Sequence, residues 1–157
     1  MFLPLARRIA GIGMLNSLSQ VALKLTSPGV PDVYQGTESW DFSLVDPDNR
    51  RPVDFTTRQQ LLDDIDALLA LPDAERGPAA RGLLAHWEDG AIKLLVTAAG
   101  LRLRRTRRDL FLSGRYLPLV TETAVRAELL AFARILDGRA ALTIVPRLAA
   151  PLVTDEQ

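Results

Sequence analysis

The sequence predicts an α/β segment followed by an antiparallel β segment, on three observations. Apolar residues recur at helical spacing over residues 5–25 and again over 61–69. A short run containing valine and tyrosine, residues 30–34, leads into a long polar loop. After Asp109 the helical spacing gives way to short apolar runs punctuated by Ser113-Gly114 and Asp137-Gly138.

Residues 5–25 read as a helix with Ile12, Leu15, Leu18, Val21, Ala22 and Leu25 on one side. Gly11 and Gly13 weaken its first half, and Asn16-Ser17, which favour caps over helix interiors, mark a break. Ser27-Pro28-Gly29 ends it. Val30-Pro31-Asp32-Val33-Tyr34 reads as a short strand, with Pro31 near its start or on an edge. The loop over residues 35–54 carries Glu38, Asp41, Asp46, Asp48 and Asp54, and its Trp40, Phe42, Leu44 and Val45 argue against disorder.

Thr57-Arg58-Gln59-Gln60 fits a capping box that opens a helix with Leu61, Leu62, Ile65, Leu68 and Leu69 on one face, stopped by Pro72. Gly77-Pro78 is punctuation before a short helix near residues 79–84. Residues 89–108 read as a further helix with Ile92, Leu95, Val96, Ala99 and Leu103 on its apolar side, and arginines crowd its last turns, where the helix dipole favours cations. Residues 110–112 and 116–120 then suggest a hairpin across Ser113-Gly114. Residues 129–136 and 141–145 suggest a second across Asp137-Gly138, a pair that tolerates positive φ.

The composition excludes several classes. The chain has 157 residues, 19 basic and 19 acidic, so its net charge is zero and nothing global draws it to nucleic acid or an anionic membrane. It has no cysteine and one histidine, which rules out disulfides, thiolate metal sites and any site needing two imidazoles. His86 sits in Ala85-His86-Trp87-Glu88 without a nucleophile-elbow pattern and reads as a partly buried helix residue. The opening residues lack the order of charge and apolar run of a secretory signal, and no apolar stretch reaches membrane-spanning length, so a cytoplasmic protein is expected.

Two segments can carry chemistry. In Tyr34-Gln35-Gly36-Thr37-Glu38, Tyr34 can stack on a sugar face, and Gln35 and Glu38 can bond hydroxyls; the plainer alternative is a solvated turn. In Asp46-Pro47-Asp48-Asn49-Arg50-Arg51-Pro52-Val53-Asp54, carboxylates and guanidinium forks interleave on a proline-bounded loop, which suits a ligand rich in hydroxyls. The plainer alternative there is a loop held by its own Asp–Arg pairs. The run from Arg102 to Arg108 has no interleaved aromatics and reads as a solvated helix end rather than a nucleic-acid contact. Asp63, Asp64, Glu122, Glu128, Asp155 and Glu156 read as ordinary surface carboxylates.

Several of these stretches together resemble one family. Leu23-Lys24-Leu25-Thr26-Ser27-Pro28-Gly29-Val30-Pro31-Asp32-Val33-Tyr34-Gln35-Gly36-Thr37-Glu38, the Asp46 to Asp54 motif, Asp109-Leu110-Phe111-Leu112 with Tyr116-Leu117-Pro118-Leu119, and Val145-Pro146-Arg147-Leu148 resemble maltooligosyl trehalose synthase, of the α-amylase superfamily. The resemblance implies the C-terminal part of a (β/α)8 barrel over residues 1–108, with 30–34 as its last strand, then an antiparallel β-rich C-terminal domain over 109–157. It implies conversion of the reducing-end α-1,4 linkage of a maltodextrin into an α,α-1,1 linkage, an isomerase activity in trehalose biosynthesis. The family's catalytic carboxylates lie on earlier barrel strands whose motifs are missing here, so no catalytic residue is transferred and the chain alone is expected to be inactive. A whole barrel takes about 250 residues. Substrate contacts transfer to Asp46 and Arg50, and more loosely to Tyr34, Gln35 and Glu38. The implied partners are a maltooligosaccharide and the N-terminal barrel segment, with no nucleic acid, membrane, metal or cofactor. The alternatives are a stand-alone maltodextrin-binding or scaffold module, or a segment of another α-amylase-superfamily enzyme.

Overall fold

A computed structural model describes residues 2–120 and 128–152. Glu122, Asp155 and Glu156 lie outside the described residues. Among the described residues five α-helices precede three strands: α1 (Phe2–Thr26), α2 (Phe55–Leu69), α3 (Asp73–Ala85), α4 (Ala91–Thr106), α5 (Arg108–Ser113), β1 (Arg115–Leu119), β2 (Leu129–Leu136) and β3 (Arg139–Pro146). No described helix is long and apolar enough to cross a membrane. The chain divides into two units, Met1–Pro31 with Gly100–Gln157, and Asp32–Ala99.

In the first unit the strands form one antiparallel sheet in the order β1-β2-β3. The second hairpin is as expected: Asp137 and Gly138 have φ of 48° and 74°, the paired positive values of a two-residue turn, and Leu136 faces Arg139 across it. Pro118 lies on β1, an edge strand, where a missing N–H leaves no central ladder bond unmade. The other expected hairpin does not form. Residues 110–112 belong to α5, whose Leu110 and Phe111 are buried. A short apolar run fits a strand or a buried helix turn equally by spacing, and here packing decides. Arg134 on β2 is only 2% exposed, and its Nη2 donates to Phe111 O at 2.9 Å and Gly114 O at 2.8 Å, taking up carbonyls at the end of α5.

α1 packs on β3, and Ser19 Oγ donates to Pro146 O at 3.0 Å. Its buried line runs through Gly11, Met14, Ser19, Val21 and Leu25. The helix is unbroken at Asn16-Ser17, since tertiary packing outweighs the weak local preference of those residues. Val30 to Tyr34, expected as a strand, is irregular, and Val30 is 88% exposed. Among the described residues it has no strand to pair with, and Pro31 has no N–H to offer one.

The arginine run is not uniformly solvated. Arg104 reaches the end of α1, donating to Leu25 O at 2.9 Å, Ser27 O at 3.3 Å and Gly29 O at 2.6 Å. Burial, and then the Arg134 charge, push its guanidinium below its ordinary value. Gly100, one turn earlier, lets the helices close up: a Cβ there would lie 2.6 Å from Leu25 Cδ1.

In the second unit, α2 starts two residues before Thr57. Its cap is Asp54, which accepts from Thr57 N at 3.0 Å, while the Thr57 hydroxyl bonds Asp54 Oδ2 at 2.6 Å. A carboxylate at this position satisfies a free donor and complements the dipole, so it outcompetes the expected Thr57 cap. α3 is longer than expected and runs through Pro78, because Asp73 and Glu75 in its first turn favour a start just after Pro72. His86 follows α3 and is exposed, with Nδ1 3.1 Å from Gly82 O, rather than partly buried. On α4 the buried positions are Ala91, Ile92, Leu94, Leu95, Thr97 and Ala98; Val96 is half-buried. Leu103, further along the helix, is exposed.

Candidate loop site

The candidate residues all lie on the loop between Asp32 and α2, so what fixes that loop decides what they can do. Gly36 takes φ of 91°, which closes the turn in which Thr37 donates to Tyr34 O from its N–H at 3.0 Å and its hydroxyl at 2.7 Å. The turn is tied to α2 by Arg58, whose Nη2 donates to Gly36 O at 2.9 Å and whose Nη1 donates to Asp54 O at 3.1 Å. Glu38 Oε2 lies 3.5 Å from Arg58 Nε, an ion pair too long to be a hydrogen bond.

Further along, Trp40 anchors the loop to the junction of α3 and α4. Its Nε1 donates to Trp87 O at 2.5 Å, its ring meets the Trp87 ring edge-on at 6.1 Å, and the Lys93 ammonium sits 5.3 Å from its centroid. Gly90 makes this approach possible. It takes φ of 80°, and a Cβ on it would lie 1.9 Å from Ser39 Oγ.

The remainder of the loop holds itself. Ser43 donates to Asp41 Oδ1 from its hydroxyl and its N–H, and these two bonds keep the Asp41 carboxyl below its ordinary range. Leu44 N donates to Asp48 Oδ2 at 2.8 Å, and Arg51 pairs with the other Asp48 oxygen. Arg50 grips Asp46 as a fork, with Nη2 on Oδ2 at 3.0 Å and Nε on Oδ1, next to a cis Asp46–Pro47 peptide. The Arg50 and Asp46 side chains are 70% and 55% exposed, so the pair adds little stability. Its use is geometric: the fork occupies two of a carboxylate's roughly four lone-pair positions and leaves the others, with the outer Arg50 N–H groups, presented in one plane.

Of the five sequence candidates, then, Asp46 and Arg50 are brought together, Glu38 is held by Arg58, and Tyr34 and Gln35 are exposed without a shared partner that would fix them. Arg58 was missed because its role depends on the loop folding back onto α2. The signal available was its place beside the helix start. A cleft of about 140 Å³ lies elsewhere in this unit, lined by Leu61, Ile65, Leu68 and Leu83 with Asp64 and Asp89, and none of the five candidates lines it.

No family model matches the chain. A protein of Mycobacterium tuberculosis (strain CDC 1551 / Oshkosh) described as "Putative maltooligosyl trehalose synthase" is 42% identical over 147 residues, covering 89% of this chain and 16% of the relative. A crystal structure of maltooligosyl trehalose synthase matches with a TM-score of 0.74 at 36% identity, covering 92% of this chain and 18% of that one. The maltooligosyltrehalose synthase from Arthrobacter ramosus matches with a TM-score of 0.73 at 41% identity, covering 94% and 17%. The chain thus spans about one sixth of the length of the curated relative.

Proposed function

We propose, on the premise that the chain is homologous to one segment of the maltooligosyl trehalose synthases, that it supplies substrate contacts to such an enzyme and has no activity alone. The observation that carries this reading is identity at 42% sustained over 147 residues together with the shared fold. The enzyme converts the reducing-end α-1,4 linkage of a maltodextrin into an α,α-1,1 linkage. Two successive displacements at the donor carbon retain its configuration. The carboxylates that perform them belong to the rest of the barrel, and no catalytic residue is assigned here.

This chain's part is binding. Asp46 accepts from sugar hydroxyls and Arg50 donates to them, Tyr34 stacks on a pyranose face, and Gln35 and Glu38 take further hydroxyls. In the complete protein, residues 30–34 form the last strand of a (β/α)8 barrel, residues 1–108 belong to that barrel and its active-site loop, and residues 109–157 to the antiparallel β-rich domain. The exposed Val30 supports this reading, because a neighbouring strand would cover it.

A 1,1 linkage consumes a reducing end, whereas hydrolysis creates one. Maltohexaose is therefore incubated with this chain, and with a chimera in which the chain replaces the matched 147 residues of the M. tuberculosis relative. The chimera is expected to lower reducing-end content and the chain alone to leave it unchanged. A rise with the folded chimera would identify a hydrolase, and turnover by the chain alone would overturn the reading.

A further inference from the structure

One side chain closes the two ends of the candidate loop on each other. Arg58, in the first turn of α2, donates from Nη2 to Gly36 O at 2.9 Å and from Nη1 to Asp54 O at 3.1 Å. Its Nε lies 3.5 Å from Glu38 Oε2. Each guanidinium nitrogen thus faces a different loop acceptor, two near the loop's start and one at its end. A second contact spans the same gap, since a Cβ on Gly36 would lie 3.2 Å from Val53 Cγ2. Arg58 Nε and Glu38 Oε2 are both buried, and neither has a hydrogen-bond partner among the described residues, so the attraction of their charges offsets the cost of burying them. The Glu38 side chain nevertheless keeps 27% of its surface exposed, so it is held on one side and open on another.

We infer that Arg58 is a positioning residue for the carbohydrate contacts of this loop. It acts through its neighbours: it fixes the turn over residues 34–38 and the Glu38 carboxylate against the start of α2, and so sets where Tyr34, Gln35 and Glu38 meet a sugar. The inference rests on the functional reading above. The middle of the loop has its own anchor in Trp40, whose bond to Trp87 O does not involve Arg58. Loss of the Arg58 contacts therefore loosens the turn and leaves that anchor in place. A contact displaced by about 1 Å can cost on the order of a hundredfold in rate or binding, so a loosened turn is enough to register.

The test uses the chimera with maltohexaose. Arg58→Lys keeps the charge and the aliphatic stem but offers one nitrogen where three stand. Contacts loosened in this way are lost equally from bound substrate and transition state, so KM is expected to rise about tenfold with kcat within about twofold. A merely structural role reads differently: fewer folded molecules lower kcat and leave KM as it was. That pattern overturns the inference and leaves the functional reading standing. Combined with Glu38→Gln, Arg58→Lys should raise KM by less than the product of the two separate effects, because part of its action passes through Glu38; strict multiplication overturns that link. A folded chimera without activity counts against the functional reading, and calorimetric titration with maltohexaose then decides the inference. Binding about tenfold weaker in Arg58→Lys supports it, and an unchanged Kd, or no binding by the unsubstituted chimera, overturns it. Should Arg58→Lys fail to fold, Arg58→Met is read in the same way, and failure of both overturns the inference in favour of a purely structural arginine.

Discussion

At the scale of single residues, buried and strained positions carry the strongest expectations. Arg134 is a guanidinium in the core that takes up two carbonyls at the end of α5. Arg134→Ala removes both bonds and leaves a void, and is expected to lower unfolding free energy by about 2–4 kcal/mol in urea denaturation. Arg134→Lys should recover less than half, because the lysine nitrogen stops one bond short of the Nη2 that donates to both carbonyls. Gly90→Ala must hold a side chain at positive φ against Ser39, at an expected cost of about 2 kcal/mol or more. In the chimera, Asp46→Ala and Arg50→Ala should each lower kcat/KM roughly 10- to 100-fold, the range of a hydrogen bond to a charged group. Unchanged kinetics would remove the pair from the substrate contacts. The Asp46–Arg50 ion pair was legible because its motif is local and charged, whereas a substrate role for it comes from the resemblance alone. Arg134 and Arg58 were not, since an arginine on a strand or a first helical turn reads as solvated until its distant partners are known.

At the scale of elements, local chemistry was readable and long-range choice was not. The β2–β3 hairpin follows from two residues that tolerate positive φ, and α2 follows from spacing. α5 was read as a strand because three apolar residues have no period, and residues 30–34 as a strand although its ladder needs partners from elsewhere. The start of α2 also sets a pH dependence. The Thr57 hydroxyl, and then its backbone N–H, hold the Asp54 carboxyl below its ordinary value, and Arg139 does the same for Asp109. A carboxyl lowered in the folded state adds stability above its unfolded value of about 3.9 and loses it as pH falls through the folded one. Thermal melts followed by circular dichroism should therefore show Tm falling from about pH 5 to pH 3, and Asp54→Ala should flatten part of that fall. A variant with the wild-type acid profile would mean that this cap contributes nothing to it.

At the scale of the whole molecule, the exposed apolar side chains of β3 predict how the free chain behaves. Leu142→Lys with Ile144→Lys should reduce its concentration-dependent light scattering without lowering Tm, because both side chains are already exposed. No change in scattering would place the association elsewhere. The bond from Ser19 to Pro146 spans 127 residues, so α1 meets its partner strand only once those residues have been made. At ribosomal rates of about 5–20 residues per second, the wait is roughly 6 to 25 seconds. For that interval the positions of α1 that face the sheet are open to whatever holds nascent chains, whereas Leu25 can meet Gly100 on α4 sooner.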